Sequence, residues 1–285
     1  MKHVTAAPFG SGEAARKINA SLWLAVRGGR TTLAAQHAPY PFHLTRVFYL
    51  DPQRPDLATL YLQSASGGVY RGDRLALDVH VASGAAAHLT TQSSAVVHDT
   101  RGCGAAQTTR ITVEPCGFVA VTPDPLVLFP GSAIAITTEV VLGADACAIL
   151  TDGFGSHDPQ GEGRTFERYA VSTTLRDQHG DVLIAERGSV RGGALAGNAG
   201  PLGPYQAAGT LMVLGRQSDR LDMVALEGSL DALGCLAGFG ALPNGAGLGG
   251  RILAPEGGAL RLALDVAFRH AFEALLGSVP ARRRK

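Results

Sequence analysis

The residue types best suited to metal chemistry lie in one short stretch of this 285-residue chain. His98, Asp99 and Cys103 follow one another closely, and a hairpin would bring Cys116 near them. An imidazole, a carboxylate and a thiolate together suit nickel or zinc. Because no second ligand pair with short spacing accompanies them, a weak metal site and an ordinary surface loop both remain open.

A second candidate for cation binding is the segment 152–159, Asp-Gly-Phe-Gly-Ser-His-Asp-Pro. Asp152, His157 and Asp158 supply two carboxylates and an imidazole. The glycines and the proline also favour a plain turn. Both interpretations start from the same residues, so the sequence alone does not choose between a cation site and a turn.

Motifs for catalysis are missing from the sequence. Residues 245–250 spell GxGxxG, but Pro243 and Asn244 precede them where a strand is required, and a predicted strand at 251–253 follows where a helix is required. The chain contains no Walker loop, nucleophile elbow or HExxH motif. A hydrolase built on a β scaffold would need a convergent pair of carboxylates, which no spacing indicates.

Charge and cysteine content restrict the possible partners and location. Lysine and arginine total 25 against 24 aspartates and glutamates, so no basic surface for nucleic acid is predicted. No apolar run approaches the roughly 20 residues that cross a bilayer. Residues 1–17 lack the apolar core of a secretory signal, and the four cysteines form no CxxC pair. We therefore predict a cytoplasmic protein that binds neither nucleic acid nor membrane.

The elements that must position these side chains are predicted to be mainly strands. Residues 67–74, Gly-Gly-Val-Tyr-Arg-Gly-Asp-Arg, form a glycine-rich turn before the alternating strand 75–81. Glycines in this turn can adopt positive φ, and an aspartate can hold it through nearby amides. The turn residues singled out are Gly67, Gly68, Gly72 and Asp73.

A weak internal repeat appears when Val81, Val113 and Leu142 are superimposed, at intervals of 32 and 29 residues. An apolar residue and a threonine follow each anchor at the same distance: Leu89 and Thr90, Val121 and Thr122, Leu150 and Thr151. Such units can stack as a β-solenoid or follow one another as plain hairpins. Stacking predicts that the polar residues beyond each threonine gather at one end of the stack: Thr91, Gln92, Asp124 and Asp152.

The remaining pattern predicts further strands, two helices and a single domain. Strands are predicted at 22–27, 31–36, 43–49, 168–175, 181–187, 210–215 and 222–225, a glycine-rich loop at 191–206, and helices at 229–239 and 260–276. The domain body is predicted to span about 15–277. A flexible N-terminus (1–14) and a solvated basic tail (278–285) are expected to flank it.

Several of these segments together resemble the urease accessory protein family UreD, also called UreH. The segments that carry the resemblance are 29–33, 46–49, 60–62, 67–75, 89–92, 123–132, 242–245 and 251–253, with the closing helix. The combination of the glycine turn, its strand and the Leu-Thr-Thr-Gln segment is specific, although each piece alone is weak. The resemblance covers nearly the whole chain.

The resemblance implies a non-enzymatic maturation factor with a mainly β, solenoid-like body of stacked antiparallel or mixed strands and one or two C-terminal helices. Its implied partners are the urease apoprotein, a helical accessory protein of the UreF type and, through the complex, a nickel-carrying GTPase of the UreG type. No cofactor is implied to remain bound, since nickel is only in transit through a water-filled passage. Oxygen ligands suit such a passage because they exchange readily.

Candidate residues for this function follow from the resemblance and the pattern. The candidates for the ion passage are Asp78, Thr91, Gln92, Asp124, Asp152 and Glu167. The apolar stripe of the closing helix, with Phe268 and Phe272, is predicted to bind the helical partner. The alternative is a nickel carrier or storage protein without urease specificity, in which His98, Asp99, Cys103 and His157 would bind the metal.

Overall fold

A computed structural model of the chain describes residues 16–195 and 202–283. The predicted flexible segment 1–14, the middle of the predicted loop 191–206 and the last two residues of the basic tail lie outside these described residues. Within them, seventeen strands precede or surround two α-helices, so the prediction of a mainly β protein is confirmed.

The strands fall into two sheets. The first half of the chain contributes β1 (Lys17–Arg27), β2 (Arg30–His37), β3 (Phe42–Leu44), β4 (Ala58–Ser64), β5 (Arg74–Val81), β6 (Ala86–Thr91), β7 (Val96–Val97), β8 (Ala105–Val113), β9 (Phe118–Thr122) and β10 (Leu126–Leu128). The second half contributes β11 (Ala133–Leu142), β12 (Cys147–Ser156), β13 (Arg168–Asp177), β14 (Val182–Arg191), β15 (Ala207–Leu214), β16 (Leu236–Ala241) and β17 (Gly247–Ala254). The helices are α1 (Met223–Asp231) and α2 (Gly257–Leu276).

The chain coils so that, from β4 to β13, the longer strands alternate between the two sheets, with the short strands β7 and β10 added to sheet B. Sheet A has the order β14-β13-β11-β8-β5-β1-β2, and sheet B has the order β16-β17-β15-β12-β9-β6-β4-β3, with β7 and β10 attached beside β12. The central pairs are parallel in both sheets, and antiparallel pairs occur at the ends. This is a β-solenoid of about four turns, which confirms the solenoid-like body that the resemblance implied.

The predicted register of the repeat is also confirmed. Val81 lies beside Val113, which lies beside Leu142 on the next coil of sheet A. In sheet B, Val121 lies between its two repeat partners, Leu89 and Leu150. Residues at equivalent positions of the repeat therefore form rows that run along the solenoid axis.

Two apolar clusters fill the solenoid interior near the two ends of its strands. One surrounds Leu24, Val81 and Val113, and the other surrounds Phe154 and Phe166. A third cluster lies outside the solenoid, between sheet B and the helices. Neither of these two clusters fills the interior between them, which other side chains line.

Helix α2 packs against the outer face of sheet B. Its predicted stripe is present, and Phe268 and Phe272 are 6% and 0% exposed. Phe268 stacks on His88, while Phe272 meets Phe118 edge to face. The prediction that these phenylalanines bind a partner is therefore wrong: the stripe is apolar because it covers the chain's own sheet.

The C-terminal helical region differs from the prediction. The predicted strand at 222–225 is the start of α1, because the Asp222 side chain caps the helix by accepting from the Ala225 amide at 3.0 Å. The predicted helix at 229–239 ends at Asp231, and β16 follows. The hairpin of β13 and β14 is as predicted, whereas the predicted strand 43–49 is reduced to β3.

The basic tail is not solvated at Arg283. Its guanidinium forms an ion pair with Asp51 at 2.9 Å, and both side chains are almost fully buried. Arg283 also donates to Nδ1 of His88 at 3.0 Å, and the Ala281 amide donates to Asp51 at 2.6 Å. The segment after α2 is thereby fixed across the protein, which corrects the expectation of a solvated tail for this residue.

Replacing Phe272 by alanine is expected to lower the free energy of unfolding by about 3–5 kcal/mol, since the ring is fully buried between α2 and sheet B. The matched control is Leu262→Ala on the same helix, which is 47% exposed and should change stability by no more than about 0.5 kcal/mol. Urea unfolding measures both values. Equal, small effects would contradict the packing of α2 described above.

Candidate functional site: an internal polar cavity

A cavity of about 840 Å³ lies inside the solenoid, between the two interior apolar clusters. It extends along the axis from β3 and β4 to β13 and β15. Because side chains at alternate positions of a strand point to the same side, each sheet contributes one or two rows to its wall. The wall is thus built from equivalent positions of successive coils.

The row in sheet A becomes polar as the coils proceed. Leu77 lies beside Thr109, Thr109 beside Thr138, and Thr138 beside Thr173, and all four line the cavity. Threonine replaces leucine at the same repeat position, four residues before each anchor of the repeat. A line of hydroxyl groups results on this wall.

The facing row in sheet B contains the only carboxylate among the described residues that line the cavity. Thr91 lies beside Leu62, and Asp152 lies beside Thr210, and all four contribute to the wall. Of the polar residues predicted beyond each repeat threonine, Thr91, Gln92 and Asp152 line this cavity. They are spread along it rather than gathered at one end of the stack, because β9 separates β6 from β12 in sheet B.

One end of the cavity has an exposed polar rim. His43, Gln63, Ser64 and Gln92 lie there, and the side chains of His43, Gln63 and Gln92 are hydrogen-bonded in a chain. Nδ1 of His43 is 2.7 Å from Oε1 of Gln63, and the Gln63 amide donates to Gln92. The rim presents oxygen and nitrogen atoms to solvent.

Asp152 lies near the opposite end. Burial raises the pKa of Asp152, and this outweighs the lowering by the Arg251 charge and by hydrogen bonds from Thr210 and Tyr169. The Tyr169 hydroxyl is 3.4 Å from Oδ1 of Asp152. Burial, and to a smaller extent the Asp152 charge, raises the pKa of Tyr169 well above its usual range. The Tyr169 hydroxyl therefore acts as a hydrogen-bond donor.

The other three passage candidates do not line the cavity. Asp78 is on the outer face of sheet A, where Arg110 joins it and Glu139 in a line of surface ion pairs at 3.2 Å. Its neighbours Leu77 and Val79 point inward, so strand alternation turns Asp78 outward. Asp124 is buried beside the cavity wall, and Glu167 is exposed in the turn before β13.

The proposed metal ligands are not brought together. Among the described residues, no group of three histidine, cysteine or acidic side chains is placed to bind one ion. His98 stacks on Tyr70, with ring centres 4.5 Å apart, while Asp99 accepts from the Arg101 amide and Cys103 is buried under Gly72. The expectation of a shared site with the exposed His157 is wrong, because these side chains serve separate local contacts.

The segment around Asp158 is a turn. Burial raises the pKa of Asp158, but hydrogen bonds from the Arg164 and Gln160 amides and the Arg164 side chain lower it to about 2 overall. The Glu162 amide also donates to it at 3.0 Å. Its carboxylate is therefore used to organise the loop rather than to join Asp152, which faces the cavity.

The glycine-rich turn borders the cavity and has a structural role. Gly68 has φ of +150°, and a Cβ there would lie 2.5 Å from the Val96 carbonyl oxygen. Asp73 accepts from the Tyr70 amide at 3.0 Å and from Arg16, as the prediction of a held turn requires. Gly67 and Gly72 also have positive φ. The motif thus fixes the turn that leads into β5.

The segment 245–250 contributes to a short turn and to β17. It therefore lacks the strand, loop and helix order that nucleotide binding uses.

Sequence reasoning missed the threonine row of sheet A. The sequence contains a signal for this row. Thr109 and Thr138 lie four residues before the repeat anchors Val113 and Leu142, and Leu77 lies four residues before the anchor Val81. A polar residue at an inward position of a repeat indicates an unfilled or hydrated interior. Arg251 and Glu186, which come from strands β17 and β14 outside the repeat, gave no such signal.

Fold and site together define a β-solenoid scaffold with a polar internal cavity, whose described lining carries a single carboxylate. The family model for the UreD urease accessory protein matches residues 18–285. The chain therefore belongs to the UreD family. Its members are urease accessory proteins rather than enzymes, which gives this chain a role in urease maturation.

Individual relatives agree with this assignment. Urease accessory protein UreD 1 of Methylorubrum extorquens (strain PA1) is 50% identical over 95% of this chain and 92% of its own length. UreD 3 of Bradyrhizobium sp. (strain ORS 278) is 48% identical over 95% of each chain. UreD 1 of Pseudomonas syringae pv. syringae (strain B728a) is 30% identical over 90% of this chain and 91% of its own. In the described part of this chain, neither helix is both long and apolar enough to cross a membrane.

Replacing Gly68 by alanine is expected to reduce the free energy of unfolding by about 1–3 kcal/mol, because the new Cβ meets a backbone carbonyl in a strained conformation. Gly228→Ala in α1 is the control: its Cβ would meet nothing, and it should gain about 0.5–1 kcal/mol. Thermal and urea unfolding of both variants provide the measurement. A stable Gly68→Ala variant would show that the turn does not need glycine.

Asp152→Asn is expected to raise stability at neutral pH, because it removes a carboxylate whose ionised form is penalised by burial. The native pKa lies above the ordinary 3.8, so the penalty is fully present above the native pKa and disappears as pH falls below 3.8. Urea unfolding across a pH series should show the two proteins converging at low pH. Asp78→Asn, at an exposed carboxylate, should bring no such gain; a pH-independent difference at Asp152 would contradict the assignment.

Proposed function

We propose that this protein, in the cytoplasm, holds the urease apoprotein and a helical UreF-type accessory protein together while nickel passes through its internal cavity to the urease active site. In this proposal the ion is brought by a nickel-carrying UreG-type GTPase and is cargo, never a resident cofactor. The single observation that supports the proposal most is the polar lining of a long cavity inside a protein of the UreD family.

The size of the cavity supports a hydrated path. A water molecule needs about 10–15 Å³ of such space, and the cavity provides about 840 Å³. A divalent cation can therefore keep water ligands while it exchanges some of them for wall oxygens. That exchange keeps the ion mobile, since conduction requires binding that is weak at each point.

The chemistry of the lining supports transit over storage. Among the described residues, the wall contains one carboxylate, Asp152, one imidazole, His43, and several hydroxyls, including Thr109, Thr138 and Thr173. Nickel binds imidazole and thiolate groups most tightly, and a group of three such ligands would retain it. The two strong ligands in the wall lie far apart: His43 is at the rim and Asp152 is near the other end.

The proposal is tested by blocking the cavity at its middle. Thr138→Phe, on β11, is expected to lower the nickel content of urease matured in cells at least about tenfold, because a ring fills the path between the two strong ligands. Nickel per urease is measured by mass spectrometry of the purified enzyme. The control is Val141→Phe on the outer face of the same strand, which leaves the cavity open.

Two further readouts make the result interpretable. Both variants should still co-purify with urease and the helical accessory protein, since neither changes an outer loop. A Thr138→Phe protein that unfolds is replaced by Thr109→Phe, on the neighbouring coil of the same row. Normal nickel content with a folded, blocked protein would overturn passage through this cavity.

A further inference from the structure

The two rows that face each other across the cavity end in opposite charges. In sheet A the strand after Thr173 places Glu186 beside it, on the inward side of β14. In sheet B the strand after Thr210 places Arg251 beside it, on the inward side of β17. Thr173 and Thr210 line the cavity, so Glu186 and Arg251 lie one strand further along the axis.

These two residues connect the sheets. The Arg251 guanidinium forms an ion pair with Glu186 and donates a second hydrogen bond to Oγ1 of Thr210 at 2.6 Å. The Arg251 side chain is 49% exposed and that of Glu186 is 30% exposed. The pair is therefore in contact with solvent on one side and with the lining of the cavity on the other.

A hydrogen bond near the pair is independent of it. The side-chain amide of Asn244 donates to the Leu183 carbonyl at 2.8 Å, which joins β14 to the turn before β17. An exposed ion pair contributes little to stability. Separation of Arg251 from Glu186 therefore requires side-chain rotation only, with the two sheets held in place.

We propose that the Arg251–Glu186 pair is a gate that closes this end of the cavity. This inference rests on the proposed function for its biological meaning, although the gate itself is a property of the fold. When closed, the guanidinium places a positive charge next to Asp152 and Thr210 and opposes the exit of a cation. When the pair separates, the cavity opens beside Asp152 and gains a second mouth opposite the rim of His43 and Gln92.

The gate is tested by the chemical accessibility of a thiol at the closed end. Thr173→Cys is introduced with Cys116→Ser, which removes the exposed native thiol; Cys103, Cys147 and Cys235 are buried. A neutral and a trimethylammonium methanethiosulfonate reagent are applied to the purified full-length protein. Adding Arg251→Gln is expected to raise the modification rate for both reagents, and by about tenfold or more for the cationic one.

Two controls identify the cause. The charge exchange Arg251→Glu with Glu186→Arg rebuilds the pair and is expected to return the rates to those of the native pair. Ser93→Cys, on the lining near the open rim, should react at the same rate with or without Arg251→Gln. Thermal unfolding confirms that each variant is folded.

The outcomes separate this inference from the proposed function. Equal rates at the Thr173→Cys thiol with and without Arg251 would overturn the gate and leave the nickel test with Thr138→Phe unaffected. A rate increase for the cationic reagent alone would also overturn it, since that result shows a charge effect without opening. Gated labelling together with normal nickel content in the Thr138→Phe strain would support the gate and reject the nickel passage.

Discussion

The parallel register of the coils is the constraint on which the rest of the structure depends. Once Val81, Val113 and Leu142 are in register, every inward position of one coil lies beside the equivalent position of the next. A one-residue slip would turn each inward side chain to the outer face. The apolar clusters, the threonine row and the cavity between them are all consequences of this register.

Much of the fold was predictable because its signals are local or periodic. Strand alternation, the repeat anchors and the apolar stripe of α2 each appear within a few tens of residues. Long-range features were not predictable: Arg283 is fixed by Asp51, which is 232 residues away in sequence. The role of the α2 stripe was misjudged for a similar reason, since an apolar face indicates burial without stating whether the cover is the same chain or a partner.

The site was predictable only where it follows the repeat. Thr91, Gln92 and Asp152 were found because they come after equivalent threonines. The prediction that Asp78 lines the passage was wrong, because it considered only that the residue is polar and not which face of the sheet its position on the strand gives it. Glu186 and Arg251 come from strands β14 and β17, which are separate in sequence and meet only at the end of the solenoid. No spacing rule connects them.

A polar interior is unfavourable, and the architecture explains how it is tolerated. Asp152 is penalised by burial. The two interior apolar clusters border this layer, and the large cluster between sheet B and α2 stabilises the fold from outside the solenoid. Because stability is concentrated in those layers, the middle of the solenoid is free to keep hydroxyls and one carboxylate that packing alone would not select. Such residues make physical sense as contacts for a polar or charged species that enters the cavity, which is the use that the proposed function gives them.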